Sequence, residues 1–372
     1  MMELRFWFLA IFLVLGEELC LADVSGNQTK EIYPEYCTTF DNKPGKCVDY
    51  RQCPYILDIV AKMNAKVKLT PRETEIFKHC LCSEKSKTIV CCEESINDSG
   101  LEVLRASEPV CGVFGDNKVT GGNEIRMGSR PWMVLLKYDI QDAHERTAFK
   151  CGGTLITSRY ILTAAHCILD SLITIRLGEH KISTERDCET YGSTEVCLPP
   201  YQDVSVENYV VHEGYDNITL HYDIALVRLA RSVEFSKFIK PICLPLHEEV
   251  RQSIWNNQRP NQKVTGWGIT EGDMPSDVPK EASVRRLTLD QCNHDRNISL
   301  IGNQLCVSAY QQDSCKGDSG GPLLFPYLYL GQQRFVQTGI VSKGPRDCGA
   351  GSSAIYTDVT RFVPWITQNI RA

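Results

Sequence analysis

The sequence predicts a mainly β chain in two parts, a small disulfide-rich module followed by a large all-β domain that closes on a helix. Three observations carry this expectation. The chain has 372 residues, more than one ordinary domain holds. Its 18 cysteines are unevenly spread, with Cys20 alone, seven from Cys37 to Cys92 and ten from Cys111 to Cys348. From residue 119 onward, short apolar stretches alternate with turn residues, the pattern of short strands.

Composition narrows the function classes. At 42% hydrophobic and 23% charged the chain is near the globular average, which excludes wholesale disorder. A net charge of −6 gives no cationic field to engage phosphates, so nucleic acid is not an expected partner. Residues 6–15 are an unbroken apolar run, too short to cross a bilayer as a helix and suited to the core of a signal peptide. Cleavage is expected after Ala22, which would leave a secreted protein. Removing residues 1–22 takes away three acids and one base, so the charge becomes about −4. No later segment reaches 18 consecutive apolar residues, and no membrane partner is expected. Four Asn-X-Ser/Thr sequons, at Asn27, Asn97, Asn217 and Asn297, fit a glycosylated secreted chain.

Loss of the leader also removes Cys20, which leaves an odd 17 cysteines. Residues 37–92 carry seven of them, and a segment this short with so small an apolar core needs staples. Zinc ligation by Cys80, Cys82, Cys91 and Cys92 is the competing reading, but such cysteines normally oxidise outside the cell. Residues 93–118 are mostly polar and read as an exposed linker and activation segment. Strand-like stretches follow at 132–138, 153–156, 173–177, 224–229 and 339–342, and residues 359–370 read as a helix.

The chemistry concentrates in three places. Gly317-Asp318-Ser319-Gly320-Gly321 fits a nucleophilic serine on a tight turn. An α/β-hydrolase needs its histidine after that serine, and the 53 residues beyond Ser319 contain none. The order histidine, acid, serine is available instead. His166 stands beside Cys167 after a β-like run, and Asp223 heads an apolar strand. A serine hydroxyl is a weak nucleophile at neutral pH. It needs an imidazole to take its proton and a carboxylate to hold that imidazole in the right tautomer.

With these motifs in this order, residues 119–372 resemble the chymotrypsin-like serine proteases. Pro131-Trp132, Cys151-Gly152-Gly153, residues 163–167 and Gly266-Trp267-Gly268 add to the likeness. The cluster 37–92, ending in adjacent Cys91 and Cys92, resembles the clip domain of arthropod clip-domain serine proteases. The resemblance implies a double β-barrel with a C-terminal helix. It makes Ser319 the nucleophile, His166 the general base then acid, and Asp223 its orienting acid. The N–H groups of Gly317 and Ser319 become the oxyanion hole. Ser342 is implied beside the triad acid, where it pairs with substrate backbone.

By the same resemblance Asp313 is the acid at the base of a trypsin-like pocket for Arg or Lys, and Gly344 keeps a pocket wall open. Ala354 stands where glycine is usual and narrows the slot. Lys343 replaces a usual aromatic residue, and a cation there either favours acidic residues upstream of the cut or simply faces water. The chain resembles a zymogen, cleaved after Lys118 so that the freed amine of Val119 pairs with Asp318. The implied disulfides are Cys151–Cys167, Cys292–Cys306, Cys315–Cys348, Cys188–Cys197, Cys111–Cys243, Cys37–Cys91 and Cys53–Cys92. Cys47 is joined to Cys80 or Cys82, and the spare cysteine is free or linked to another chain.

No cofactor is required by such a protease. Glu179 with the acid-bearing segment 186–195 is either a Ca²⁺ loop or a solvated acidic loop. The expected partners are a protein zymogen or precursor as substrate, an upstream activating protease and serpin inhibitors. The expected setting is arthropod haemolymph, in an innate-immune cascade that activates a prophenoloxidase or a Toll ligand precursor. A non-catalytic cascade cofactor and a digestive trypsin are the alternatives. The intact set His166, Asp223 and Ser319 argues against the first. The stapled module and long pro-region argue against the second.

Overall fold

The computed structural model describes residues 36–41, 43–82, 88–114, 124–139, 148–256, 262–268, 276–296, 300–309, 318–344 and 353–372. The chain divides into two units, Met1–Ser95 and Ile96–Ala372. No helix among the described residues is long and apolar enough to cross a membrane.

The first unit holds a three-stranded antiparallel sheet of β1 (Tyr36–Thr38), β2 (Pro44–Asp49) and β3 (Ile89–Glu93), in that order. Two helices, α1 (Pro54–Asn64) and α2 (Pro71–Lys78), join β2 to β3. Both begin with proline, whose fixed φ suits the first helical turn and whose missing N–H is no loss there. Thr70 and Glu73 form a reciprocal capping box at the start of α2. The core is small, with Ile56, Ile59, Phe77 and Val90 packed against Cys53 and Cys80. Disulfides Cys37–Cys91, Cys47–Cys82 and Cys53–Cys92 cross-link it. The partner of Cys47 is therefore Cys82. Cys80 is thus the spare cysteine of that pair, and it too is disulfide-bonded. Oxidation of Cys80, Cys82, Cys91 and Cys92 also disposes of the zinc reading.

The second unit begins with a correction. Residues expected as exposed linker contain helix α3 (Asp98–Arg105), which buries Leu101 and Leu104. Gly100 lies so close to the backbone of Thr367 that a Cβ would collide with it. Alternating polar and apolar residues over one short helix looked like linker because only two leucines commit it to a core. Cys111–Cys243 ties this segment to the rest of the unit.

Two closed six-stranded barrels follow. The first comprises β4 (Met133–Tyr138), β5 (Phe149–Leu155), β6 (Tyr160–Thr163), β7 (Leu172–Leu177), β10 (Gln202–Val211) and β11 (Ala225–Leu229). A disulfide-closed hairpin of β8 (Cys188–Tyr191) and β9 (Thr194–Cys197) interrupts it. The second has β12 (Gln262–Gly266), β13 (Lys280–Leu287), β14 (Gln304–Ala309), β15 (Pro322–Tyr329), β16 (Gln332–Lys343) and β17 (Ser353–Asp358). Closure leaves no sheet edge, and β6 and β11 are buried at every position. Helices α4 (Glu248–Asn256) and α5 (Leu289–Arg296) lie between strands, and α6 (Val363–Asn369) ends the chain. The helix expected over 359–370 splits into a 3₁₀ turn, Val359–Arg361, and α6. Pro364 sits in the first turn of α6, where it is tolerated. Arg130 and Glu281 form a buried ion pair 2.6 Å apart that links the approach to β4 with β13.

Candidate active site

Strand pairing brings His166 and Asp223 together. Strands β6 and β11 are antiparallel with Thr163 opposite Ala225, so the chain just after β6 and just before β11 lies at one rim of the barrel. His166 sits in a 3₁₀ turn, Ala165–Cys167, directly after β6. The disulfide Cys151–Cys167 and a hydrogen bond from Tyr138 Oη to the Cys167 carbonyl (2.8 Å) hold that turn.

Asp223 is fully buried, and its carboxylate has three donors. His166 Nδ1 lies 2.8 Å from one oxygen, and Ser342 Oγ donates to the same oxygen at 2.6 Å. The His166 backbone N–H donates to the other at 3.0 Å. Thr357 Oγ1 donates to the Asp223 carbonyl at 2.8 Å. A carboxylate facing Nδ1 fixes the proton there and leaves Nε2 as the basic nitrogen, on an imidazole that is 24% exposed. Burial pushes the nearby Tyr215 hydroxyl up to about 12, with the negative charges of Asp223 and Asp216 adding to the effect. Burial, full hydrogen bonding and a partner imidazole are what an orienting acid requires.

Ser319 stands just before β15, and its backbone is anchored to the first barrel. The Gly152 N–H donates to the Ser319 carbonyl at 2.9 Å, while Thr163 Oγ1 donates to the Gly152 carbonyl at 2.9 Å. Gly320 has φ +77° and lies against Thr163 and Gly152, so a Cβ would collide with both. The Gly320 N–H donates to the Val341 carbonyl at 2.9 Å, one residue before Ser342. The nucleophile candidate is thus pinned between the strand end that leads to His166 and the strand that carries Ser342. Asp318 is buried, and its carboxylate accepts from the Gly268 N–H at 2.9 Å.

The structure places the remaining expected residues as follows. Gly344 is half-buried just past β16, and Lys343 is exposed at its end. Ala354 is buried on β17 in an apolar cluster with Val307, Val341 and Tyr356. Asn97 and Asn217 are exposed. Asn97 Oδ1 caps α3 by accepting from the Gly100 N–H, a role a glycan on the amide nitrogen leaves intact. Asp313, Gly317, Lys118, Val119, Asn27, Asn297 and the implied Cys315–Cys348 bridge lie outside the described residues.

The Glu179 side chain is buried and bonded to Arg176 (3.1 Å) and to the His180 N–H (2.8 Å). Burial raises its pKa, and Asp187 adds to this. Groups of three potential ligands within reach of one another occur among the described residues only around disulfide cysteines. Arg176 is the counter-ion of Glu179, and no group of three side-chain ligands surrounds that carboxylate among the described residues.

Sequence reasoning missed Thr357, Tyr138 and the second donor of His166. Each works through a backbone group or one hydroxyl in an ordinary strand, and nothing in spacing marks it.

Comparison with known proteins agrees with this arrangement. Residues 119–366 match the Trypsin family, and residues 37–92 match the regulatory CLIP domain of proteinases. The chain is 39% identical to Serine protease grass of Drosophila melanogaster, over 91% of this chain and 92% of that protein. It is 34% identical to Phenoloxidase-activating factor 3 of Holotrichia diomphalia, over 96% and 98%. It is 31% identical to Spaetzle-processing enzyme of Drosophila melanogaster, over 88% and 89%. The crystal structure of the Drosophila Grass clip serine protease of the Toll pathway superposes with a TM-score of 0.68, covering 90% of this chain and 97% of that one.

Proposed function

The chain belongs to the clip-domain serine proteases of the trypsin family, and from that premise we propose that it is a secreted zymogen of a trypsin-like endopeptidase. The observation that carries this reading is the buried Asp223 carboxylate, bonded at once to His166 Nδ1, the His166 N–H and Ser342 Oγ. Burying a carboxylate is costly, and three donors compensate that cost while holding the imidazole beside it in one orientation.

In this reading residues 1–22 are a signal peptide, 37–92 the clip domain, 93–118 the linker and activation segment, and 119–372 the protease domain. Cleavage after Lys118 frees the Val119 amine to pair with Asp318. Ser319 Oγ then attacks the scissile carbonyl while His166 Nε2 takes its proton and Asp223 stabilises the imidazolium. The N–H groups of Gly317 and Ser319 receive the developing oxyanion, and His166 returns the proton to the leaving amine. Asp313 selects Arg or Lys by charge, beside Gly344 and a slot narrowed by Ala354. Ser342 pairs with substrate backbone. Relatives named for phenoloxidase activation and Spaetzle processing support a protein precursor of an insect immune cascade as substrate. An upstream protease as activator and serpins as inhibitors complete the proposal.

The test is amidase activity on short Arg- and Lys-ending peptides before and after controlled cleavage at Lys118. Activity only after cleavage, absent in Ser319→Ala, is the expected result. An inactive, correctly cut protein would turn the reading toward a non-catalytic cascade cofactor.

A further inference from the structure

Behind the triad acid lies an aromatic clamp that neither the proposed mechanism nor the pocket uses. Tyr222, the residue before Asp223, has φ +55°, a left-handed conformation unfavourable for a bulky side chain. Its carbonyl accepts from the Ile224 N–H (2.8 Å), so the chain turns tightly about Asp223 itself. Something must hold that turn, because relaxing φ at Tyr222 would swing the carboxylate away from His166.

The group packed against Tyr222 is His212. Its ring stacks on Tyr222 with centroids 4.8 Å apart and planes 20° from parallel. Phe362 meets the same ring edge-on at 5.4 Å, and Trp365 of α6 lies at 5.2 Å. His212 is 2% exposed, and its Nδ1 accepts from the Gly214 N–H at 3.0 Å, which leaves the ring proton on Nε2. The His212 N–H donates to the Ile224 carbonyl at 3.1 Å, so backbone and ring grip both sides of the turn. Glu213 faces the ring at 4.0 Å and accepts from Trp365 Nε1 at 3.2 Å, which fixes the outer wall of the clamp.

We propose that His212 is a positioning residue for the reaction, holding Tyr222 in its left-handed conformation so that Asp223 stays under His166. The inference rests on the protease reading. A misplacement of about 1 Å at a reacting group costs up to about a hundredfold in rate, so a loosened turn should be visible in kcat.

The experiment compares kcat and KM of the cut full-length protein on a short Arg-ending amide substrate. His212→Leu keeps bulk but removes the stack and the acceptor. It should lower kcat at least about tenfold with KM within about twofold. Tyr222→Gly takes the same φ without cost, so adding it to His212→Leu should restore part of the lost kcat. Tyr222→Val and Tyr222→Gly, made in the otherwise native chain, leave the buried histidine untouched. The valine variant should lose at least about tenfold and the glycine variant about threefold or less. A His212→Leu protein that melts earlier but turns over normally would overturn the inference, as would equal losses in the two Tyr222 variants. An inactive wild-type control would sink the protease reading and this inference with it. An active control beside an equally active His212→Leu would overturn the inference alone.

Discussion

The clip unit and the barrel unit, the catalytic unit of the proposed reading, reach order by different means. In the clip unit three disulfides cross-link a sheet and two helices around four apolar side chains, while Phe40, Tyr55, Leu57 and Val67 stay exposed. In the catalytic unit two closed barrels bury whole strands, and polar groups are buried in bonded sets such as Asp223 with its donors and Arg130 with Glu281. The difference teaches that staples are needed where a core is too small to cover its own elements. A large core, in contrast, can tolerate buried charge provided every charge has a partner. Damage should therefore separate by unit: lost partners in the catalytic unit, lost cross-links in the clip unit.

The sharpest test of that separation is Asp223→Asn, which keeps the shape but lets His166 take the wrong tautomer. Activity of the cut protein on short peptides should fall by about 10⁴ with little change in melting temperature. Next is Arg130→Ala, which leaves Glu281 buried and unpaired. It should destabilise the catalytic unit by about 3–5 kcal/mol, read by denaturant melts of the full chain, with no shift in the transition of the clip unit. Replacing Cys47 and Cys82 together by alanine should cost the clip unit about 2–4 kcal/mol and leave short-peptide turnover unchanged. A fall in turnover there would break the comparison.

The smallest expected effect is acid-dependent. Lys62, then the Thr70 N–H and hydroxyl, hold Glu73 down from an ordinary 4.5 to about 2. A depressed carboxyl contributes stability above its unfolded value that is lost as pH falls through the folded one. The clip transition should therefore weaken between about pH 4.5 and 2, and Glu73→Gln should flatten that limb in a calorimetric pH series.

Much of this was legible in the sequence, because the catalytic motifs are local. A serine between glycines, a histidine beside a cysteine and an acid heading a strand can be read without the fold. Strand centres were legible too, although β5 begins at Phe149 and β16 at Gln332, well before the apolar runs that marked them. Edges of strands are set by pairing partners, which spacing does not reveal. Helix α3 was not legible, since its two buried leucines gain their meaning only from α6. Nor were Thr357, Tyr138 and His212, whose roles arise from contacts across 134, 29 and 10 positions of chain. The partner of Cys47 was left open between Cys80 and Cys82 by the resemblance, and only the folded module shows it to be Cys82.

The central claim is that Ser319 is a nucleophile activated by His166. It is tested most directly by treating the cut protein with a fluorophosphonate and mapping the adduct by mass spectrometry. The account predicts one phosphonylated residue, Ser319, with labelling lost in His166→Ala. No adduct in the cut protein, or an adduct on Ser319 that forms equally fast without His166, would contradict it.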